Sequence, residues 1–435
     1  MIIAGGKLLE NSRQSEITDG LEERINRALE AGAPKPETVI GAVVRLGERL
    51  KNGEFDSLID SLGIEGAGEY KNAAISLMSR EALELRLETE LGGELPGGTK
   101  YVRGSGDFGG MRVKRVPLGT LLHIAAGNAE GLPAYSLAEG LITGNVNVLK
   151  LPQADNGLSV KIIMALLEEA PELSEYVYVF DTPSTDIPAI LKLAGLADGI
   201  AVWGSDEAVS AVRRFASPGT RLIEWGHKLS FAYVSGEYPR EDLEGLAEHI
   251  ASTRQLLCSS CQTVFIDTDS MDDVRAFCDR FLPVLEAAAE RRFPKSPGGA
   301  AQMNLKLYTD RLRSHVLGER AGPYTGRLCS LIPCEDGELV SSPPFLAVPV
   351  KRLPEKDLFS RLRTKKQWLQ TAGLICRDPR KRIELEDKLI RCGITRITDP
   401  ENMSRMFAAQ SHDGEYPLRR YTRTADILDN NGGTL

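Results

Sequence analysis

Cys258 is the residue whose surroundings in this sequence best suit covalent chemistry. It follows an apolar helical segment and precedes an apolar strand predicted at 263–266, where a thiol can face a cleft between two domains. A thiolate attacks a carbonyl carbon far better than a thiol, so such a site must lower the thiol pKa from about 8.5. The attack leaves a negative oxygen that needs fixed N–H donors. Taken alone, a cysteine is more often a buried structural residue than a nucleophile.

A second cysteine, Cys261, makes a C-x-x-C pair with Cys258. Such a pair is compatible with a redox disulfide, which would trap Cys258 in air, or with half of a zinc site. The sequence contains no second C-x-x-C and no histidine pair at ligand spacing, and Cys329 with Cys334 does not complete a ligand set. We therefore predict no metal site and regard Cys261 as incidental.

Glu224 is a candidate general base at the end of a predicted strand, 34 residues before Cys258. In that role it would activate a water molecule or the thiol. An alternative of equal weight is a strand-end carboxylate that is ion-paired with Lys228 or Arg221.

Lys150, Gly204 and Ser205 follow the ends of predicted parallel strands, which is where open α/β sheets bind ligands. Gly204 and Ser205 also begin a helix, whose N-terminus favours an anion such as pyrophosphate. Ser205 is equally suited to be a plain helix N-cap, and Lys150 to be a solvated charge at a strand end.

The elements that must position these residues alternate between strand and helix from Pro117 onward. Strands and helices in this alternation are typical of βαβ units, which pack as a parallel sheet with helices on its faces. Strands are predicted at residues 120–125, 145–149, 176–180, 199–203, 220–225, 229–234, 262–266, 305–308, 345–350 and 373–375. Helices are predicted at residues 132–142, 160–167, 207–215, 241–256 and 271–292, and the first hundred residues read as mostly helical.

A G-x-G-x-x-G pattern at Gly104, Gly106 and Gly109 does not indicate a dinucleotide site. That mechanism requires the glycines to follow a buried strand and to begin a helix. Here residues 111–116 alternate as a strand, so we interpret the pattern as the turn of a hairpin over 100–116.

Length, composition and charge limit the number of domains, the class of partner and the compartment. A length of 435 residues suggests about three domains, or two with an extra module, and 42% hydrophobic with 26% charged residues is globular. A net charge of −8 gives no reason to expect nucleic acid or an anionic membrane surface as a partner. We predict no membrane span and no secretory signal, and seven cysteines favour reduced thiols in a cytoplasm.

Several ordered segments together resemble the aldehyde dehydrogenase superfamily. Within it, Gly-His-Lys-Leu-Ser-Phe at 226–231, Cys-Ser-Ser-Cys-Gln at 258–262 and Ser-His-Asp-Gly at 411–414 are similar to bacterial acyl-CoA reductases of the bioluminescence fatty-acid-reductase type. The resemblance covers roughly residues 100–425. Its superfamily segments are Gly-Asn at 127–128, Gly-Asn-Val-Asn-Val-Leu-Lys at 144–150, Gly-Ser at 204–205, Glu-Trp-Gly-His-Lys at 224–228 and Cys258.

The resemblance implies NADPH-dependent reduction of an acyl thioester, acyl-CoA, to an aldehyde through an acyl-Cys258 intermediate. The side-chain amide of Asn128 and the backbone N–H of Cys258 would then stabilise the negative oxygen, although Gly-Asn dipeptides are commonly turn formers. Because hydrolysis is unwanted in such a reductase, Glu224 would tune the thiol instead of activating water. The alternatives are NAD(P)-dependent oxidation of an aldehyde, a cysteine acyltransferase subunit without hydride transfer, and a non-catalytic scaffold.

The resemblance also assigns the cofactor residues. Lys150 would contact the adenosine ribose, and Gly204 with Ser205 would lie at the pyrophosphate. Gln153 stands where NAD-preferring relatives have a carboxylate, which favours NADPH while leaving NAD possible. The expected partners are acyl-CoA or an acylated carrier or synthetase subunit.

Two segments depart from the superfamily pattern. The usual Gly-Gln before the cysteine is here Arg254-Gln255, so the approach to Cys258 differs. The Glu-x-Phe-Gly-Pro segment that holds the nicotinamide ribose has no clear counterpart, and residues 341–345 occupy roughly its place. Both departures argue against the usual position of the cofactor in the superfamily. They also argue against ordinary aldehyde oxidation as the activity.

The predicted fold is α/β and aldehyde-dehydrogenase-like, with a boundary near Gly226. Residues 1–99 and 117–225 form a Rossmann-like cofactor domain with a helical N-terminal region, and residues 226–415 form an α/β catalytic domain. Residues 100–116 and 416–435 form a small β element for oligomerisation. Because an isolated hairpin is marginal in water, we expect it to extend a partner subunit's sheet in a homodimer or homotetramer.

Overall fold

The computed structural model describes residues 1–63, 66–93, 97–103, 110–127, 130–293, 305, 308–309, 312, 323–343 and 346–428. Within these residues the strands are β1 (Ile2–Ala4), β2 (Lys7–Leu9), β3 (Thr99–Arg103), β4 (Gly110–Pro117), β5 (Thr120–Ile124), β6 (Val146–Lys150), β7 (Val177–Phe180), β8 (Gly199–Trp203), β9 (Arg221–Trp225), β10 (Leu229–Val234), β11 (Cys261–Ile266), β12 (Tyr324–Thr325), β13 (Ser330–Cys334), β14 (Ala347–Arg352), β15 (Leu369–Ile375), β16 (Arg396–Thr398) and β17 (Thr422–Leu428).

The helices within the same residues are α1 (Gln14–Asp19), α2 (Leu21–Ala31), α3 (Pro36–Lys51), α4 (Asp56–Ser61), α5 (Ala67–Leu77), α6 (Arg80–Leu91), α7 (Leu132–Ile142), α8 (Leu158–Glu169), α9 (Ile187–Gly195), α10 (Asp206–Phe215), α11 (Arg240–Thr253), α12 (Met271–Arg292), α13 (Glu355–Arg363), α14 (Pro379–Cys392) and α15 (Pro417–Arg420). Each helix in this part of the chain is too short or too polar to cross a bilayer. The chain forms two compact units: unit 1 contains Met1–Gly226 and Met406–Leu435, and unit 2 contains His227–Arg405.

The main sheet of unit 1 has, among its described residues, seven strands in the order β2-β1-β7-β6-β5-β8-β9. Strands β5 to β9 are mutually parallel, whereas β1 pairs antiparallel with β2 and β7. The chain passes from β5 to β6 and β7 on one side, then crosses to β8 and β9 on the other. The strand order therefore reverses between β5 and β8, and open α/β sheets bind ligands at the carboxyl ends of strands at such a point.

The parallel strands of unit 1 are buried on both faces. Leu121 and Leu122 are adjacent on β5 but belong to different hydrophobic cores, because successive strand residues point to opposite faces. One core includes residues of α3, α7 and α8, and the other includes residues of α2, α9 and α10. Helices on both faces explain why β5 to β8 are almost entirely buried, whereas β9, at the edge of the sheet, is only partly buried.

Unit 2 repeats this layered arrangement with a different strand order. Its described residues form a seven-stranded sheet, β12-β13-β14-β11-β10-β15-β16, in which only β12 and β13 pair antiparallel. Ala232 belongs to a core with residues of α11 and α12, and Phe231 belongs to a core with residues of α13 and α14. The central strands β10 and β11 are therefore covered on both faces.

A separate antiparallel sheet has the order β17-β4-β3 among the described residues. Strand β4 pairs with β3 over the predicted hairpin, and with β17 from Thr422 opposite Pro117 to Leu428 opposite Met111. The hairpin prediction is confirmed, while its turn, with Gly104, Gly106 and Gly109, lies outside the described residues. The C-terminal strand, which the sequence leaves without anything to pack on, has a pairing partner within its own chain.

The α/β fold class is confirmed, and two assignments need correction. Residues 305–308 are predicted as a strand, but Leu305 and Tyr308 are helical, and Thr309 Oγ1 donates to the Leu305 carbonyl at 2.8 Å. A short apolar run does not by itself distinguish a strand from a helix. Residues 406–415, predicted in the catalytic domain, belong to unit 1, where His412 packs against two tryptophans.

Candidate active site

Cys258 lies in a tight turn between α11 and β11, and it is exposed. The Ser260 backbone N–H donates to the Leu257 carbonyl at 3.0 Å, and the Leu257 N–H donates to Ser260 Oγ at 3.0 Å. These two hydrogen bonds close the turn with Cys258 inside it. The turn therefore presents the thiol at the amino-terminal edge of the unit 2 sheet.

Two distant strands hold this turn in place. Ser230 on β10 donates its hydroxyl to the Cys258 carbonyl at 2.7 Å, and the same hydroxyl accepts the Thr371 backbone N–H at 3.1 Å. Gln370 on β15 donates from Nε2 to Cys258 Sγ at 3.4 Å. No local sequence pattern indicates these roles of Ser230 and Gln370, because the Cys258 turn that they contact is 28 and 112 residues away.

The backbone just before the turn has an unusual conformation. Helix α11 ends at Thr253, and Arg254 and Gln255 then adopt left-handed conformations with φ of 51° and 61°. A non-glycine residue in this region costs on the order of 1 kcal/mol. Gln255 offsets this cost with a side-chain hydrogen bond from Nε2 to the Cys261 carbonyl at 2.8 Å. Arg254 thus occupies a backbone conformation that suits the glycine of the superfamily pattern.

Residues 341–343 lie beside β11, on the segment that replaces the missing Glu-x-Phe-Gly-Pro. Ser342 donates to Gln262 Oε1 through both its backbone N–H and its hydroxyl, each at 3.0 Å. Phe345, the last residue of this segment, lies outside the described residues. Ser342 thus ties this segment to the first residues of β11.

Cys261 belongs to the core and not to the exposed turn. Its Sγ donates to the Thr263 carbonyl at 3.5 Å, and burial raises the pKa of its thiol to about 12. A thiol with that pKa is protonated at neutral pH and a poor metal ligand. In the part of the chain that the structure describes, no three or more His, Cys, Asp or Glu side chains form a metal-binding group.

Lys150, at the carboxyl end of β6, is 5% exposed. Its Nζ donates to Ser184 Oγ at 2.9 Å. Burial lowers the pKa of the lysine, and the nearby Asp181 carboxylate partly opposes this effect. The alternative of a solvated charge is therefore wrong, because the ammonium group is held at the sheet edge.

Gln153 is exposed in the turn after β6. Gly127, which ends the segment after β5, faces this turn so closely that a Cβ on it would lie 2.9 Å from the Ala154 Cβ. Only glycine therefore fits at this position without displacing the turn. The loops after β5 and β6 thus lie side by side, while Asn128, the next residue, lies outside the described residues.

Gly204 and Ser205 connect β8 to α10. The exposed Ser205 accepts the Ala208 N–H on its Oγ at 3.4 Å, so it is an N-cap. The Gly204 N–H donates to the Trp225 carbonyl at 3.1 Å. Asp206 in the first helical turn already complements the positive end of the helix dipole.

Glu224, on β9, is ion-paired with an arginine that the sequence did not select. Arg213 on α10 donates from Nε and Nη2 to the two carboxylate oxygens, each at 2.5 Å. Lys228 and Arg221, the predicted partners, donate instead to backbone carbonyls. The choice of partner is thus corrected, since α10 packs beside the end of β9 and brings Arg213 to the carboxylate.

His412 joins an aromatic cluster at the carboxyl ends of β8 and β9. Its ring centroid lies 4.9 Å from that of Trp203 and 4.7 Å from that of Trp225. The Trp203 indole N–H donates to Ser136 Oγ at 3.1 Å. The Ser-His-Asp-Gly motif therefore lies at the same sheet edge as the cofactor candidates, although it follows them by about 200 residues in the sequence.

The predicted site residues fall into two groups. In unit 1, Lys150, Gln153, Gly204, Ser205 and Glu224 gather at the carboxyl ends of parallel strands. Cys258 lies in unit 2, with the donors Gln370 and Ser230.

Comparisons with known proteins identify the family and the fold. Residues 31–424 match the family model described as Acyl-CoA reductase (LuxC). A long-chain acyl-protein thioester reductase of Vibrio harveyi is 23% identical over 406 residues, covering 88% of this chain and 81% of that protein. The corresponding protein of Aliivibrio fischeri is 23% identical over 330 residues, covering 72% of this chain and 65% of that protein.

Solved structures show the same fold. Aldehyde dehydrogenase 21 from Physcomitrella patens matches with a TM-score of 0.73 at 12% identity, covering 97% of this chain and 92% of that chain. An NADP-dependent glyceraldehyde-3-phosphate dehydrogenase from Bacillus halodurans, complexed with NADP, matches with a TM-score of 0.71 at 16% identity, covering 98% and 99% of the two chains.

Proposed function

Because the chain belongs to the acyl-CoA reductase (LuxC) family, we propose that it reduces an acyl thioester to an aldehyde with NADPH through an acyl-Cys258 intermediate. The observation that carries this proposal is the exposed Cys258 thiol with the Gln370 amide donor 3.4 Å from its sulfur. The names of the relatives, long-chain acyl-protein thioester reductases, support an acyl thioester as substrate. The acyl donor of this chain is acyl-CoA or an acylated carrier or synthetase subunit.

The first half-reaction transfers the acyl group to Cys258. The thiolate attacks the thioester carbonyl carbon and forms a C–S bond, leaving a negative oxygen. The Asn128 amide and the Cys258 backbone N–H stabilise that oxygen. The carbonyl then re-forms and the donor thiolate leaves.

The second half-reaction releases the aldehyde. When bound, NADPH would supply the hydride that reduces the acyl group on Cys258 to a hemithioacetal. The C–S bond would then break and release the aldehyde and the Cys258 thiolate. Lys150 would bind the adenosine ribose, and Gly204 with Ser205 would bind the pyrophosphate. Gln153 would place no negative charge beside a 2′-phosphate. The close packing at Gly127 and the buried Lys150 ammonium fit a cofactor at the carboxyl edge of the unit 1 sheet.

Glu224 does not act as a base in this scheme. Both of its oxygens accept hydrogen bonds from Arg213, and a carboxylate held in this bidentate way is turned towards the guanidinium instead of a water molecule. Hydrolysis of the acyl-enzyme is therefore slow, and the acyl group proceeds to aldehyde. This favours reduction over aldehyde oxidation, which needs that water.

The β17-β4-β3 sheet supports assembly into a homodimer or homotetramer. All five residues of β3 are exposed, and a long exposed edge strand is readily paired by a second chain. Sedimentation at micromolar concentration tests this: we expect a dimer or tetramer, and a monomer would contradict it.

Product analysis tests the proposed activity. The protein is incubated with a long-chain acyl-CoA and either NADPH or NADH, and aldehyde, fatty acid and oxidised cofactor are quantified. We expect aldehyde in equal amount to the NADPH consumed. Faster acid formation from aldehyde and NADP⁺ without coenzyme A would identify an aldehyde dehydrogenase, and acyl transfer without cofactor turnover would identify an acyltransferase.

A further inference from the structure

We propose that Gln370 is a catalytic residue whose side-chain amide holds Cys258 as a thiolate, both when the sulfur attacks and when it leaves. Its Nε2 is 3.4 Å from Cys258 Sγ, which is hydrogen-bond distance for sulfur. Gln370 is 7% exposed, whereas Cys258 is exposed. A buried amide therefore contacts the sulfur of a cysteine that is itself exposed.

The backbone of Gln370 is fixed on both sides of the contact. Its carbonyl accepts hydrogen bonds from the Thr395 N–H at 3.1 Å and the Thr395 hydroxyl at 3.2 Å. The next residue, Thr371, donates to Ser230 Oγ, which in turn donates to the Cys258 carbonyl. The amide and the sulfur are thus tied to the same two strands, so the N–H···S distance does not depend on a mobile loop.

A neutral amide suits both half-reactions. Deprotonation of Cys258 passes the thiol proton to solvent, and the charged sulfur then accepts the amide N–H more strongly than the neutral thiol does. A cationic donor would stabilise the thiolate further but would also reduce its nucleophilicity. When the hemithioacetal collapses, the C–S bond breaks and the returning thiolate meets the same donor.

This inference deepens the proposed function and rests on it for the acyl-transfer steps. The effect on the thiolate itself is measured without acyl donor or cofactor. The rate of iodoacetamide alkylation of Cys258 is followed against pH, on the peptide that contains it, with fragmentation to separate Cys258 from Cys261.

Three variants form the test. Gln370→Ala removes the donor, Gln370→Glu keeps the shape but places a negative charge beside the sulfur, and Gln367→Ala is the matched control in an exposed position three residues upstream. We expect the midpoint pH of alkylation to rise by about one unit in Gln370→Ala, a tenfold loss of thiolate below the midpoint, and to rise further in Gln370→Glu. Gln367→Ala keeps the wild-type midpoint.

The outcomes separate the two proposals. An unchanged midpoint in a folded Gln370→Glu protein overturns the role of Gln370, even if the wild type makes aldehyde. A raised midpoint in the Gln370 variants, together with a wild type that makes no aldehyde, leaves the thiolate role intact and overturns the reductase. With the reductase active, Gln370→Ala lowers both the acylation rate and the aldehyde release rate, whereas a defect in only one of them contradicts the two-step role.

Discussion

The two units present their candidate residues at opposite edges of similar sheets. In unit 1 they follow the carboxyl ends of β6, β8 and β9, the usual ligand edge of an open α/β sheet. In unit 2, Cys258 precedes β11 and meets residues near the amino-terminal ends of β10 and β15. Similar layered architecture thus carries the proposed cofactor residues in one unit and the proposed nucleophile in the other.

The two edges also differ in the contacts that hold their candidate residues in place. The unit 1 edge combines a glycine that permits close packing of two loops, a serine that caps a helix, and His412 from the C-terminal segment. The unit 2 edge depends on contacts from residues far away in the sequence, such as Gln370. We therefore expect substitutions of Lys150 and Gln153 to affect cofactor use, and substitutions around Cys258 to affect acyl transfer.

The largest effect is expected for Cys258→Ser. A hydroxyl is a far weaker nucleophile than a thiolate, so aldehyde formation falls by at least about a thousandfold. The melting temperature stays unchanged because the side chain is exposed. Cys334→Ser, in β13, is the matched control and keeps activity. Wild-type aldehyde formation by Cys258→Ser would show that Cys258 is not the nucleophile.

A buried histidine in each unit links stability to pH. Burial lowers the pKa of both His123 and His249 to about 4 from 6.5. The unfolded chain therefore binds protons between pH 6.5 and 4 while the folded chain does not, so stability is present above pH 6.5 and is lost as pH falls towards 4. Each histidine accounts for on the order of 3 kcal/mol, or about a hundredfold in the unfolding equilibrium.

Urea unfolding at pH 7 and pH 4.5 measures this loss. His249→Gln flattens the pH dependence by about half, whereas His227→Gln, at an exposed position, leaves it unchanged. An equal pH dependence in wild type and His249→Gln would contradict the assignment.

Lys150→Met tests whether cofactor binding at the unit 1 edge is independent of acyl transfer at the unit 2 edge. Loss of the buried ammonium removes a cofactor contact, and we expect the KM for NADPH to rise about thirtyfold, roughly the value of a charged hydrogen bond. The rate of acyl transfer to Cys258 stays at the wild-type value. Lys161→Met, on the exposed side of α8, controls for loss of a lysine. A thirtyfold fall in the rate of acyl transfer would contradict the prediction, because the Lys150 edge and the Cys258 edge would then not act separately.

Arg213→Ala releases the Glu224 carboxylate. The freed carboxylate activates water, and the ratio of fatty acid to aldehyde rises about tenfold. Arg214→Ala removes the neighbouring exposed arginine of α10 and keeps the wild-type ratio. Glu224→Gln combined with Arg213→Ala restores the low ratio; a high ratio in that double variant would exclude Glu224 as the base.

The smallest effect is expected for Gln153→Glu. A carboxylate in this exposed turn repels a 2′-phosphate, so the preference for NADPH over NADH falls about fivefold, a modest change because water screens the charge. Steady-state kinetics with both cofactors measures it. A preference that stays constant would remove Gln153 from the cofactor site.

Local pattern was sufficient to predict most of the fold. Strands β5 to β11 were predicted to within one residue of their observed ends, and α7 was predicted with its observed ends. Hydrophobic pattern failed for short segments. Strands β13 and β16 were not predicted, and residues 305–308 were predicted as a strand although Leu305 and Tyr308 are helical. Such segments take their structure from the neighbours they pair with.

The order of motifs along the sequence predicted several residues of the candidate site, but not their burial or their partners. Motif order selected Cys258 and Lys150, but burial of Lys150 follows from packing that no local pattern reveals. Arg213 and Gln370 reach their partners through tertiary contacts, and a single sequence contains no signal for them. His412 belongs to the Ser-His-Asp-Gly motif found in the sequence. Its contacts with Trp203 and Trp225 became visible only in the folded structure.

Intact-protein mass spectrometry tests the central claim most directly. The protein is mixed with acyl-CoA, first alone and then with NADPH, and the mass shift is located by peptide mapping. We predict one acyl adduct on Cys258 that disappears when NADPH is added, with aldehyde released in equal amount. An adduct on another residue, or one on Cys258 that persists in the presence of NADPH, would contradict the proposed mechanism.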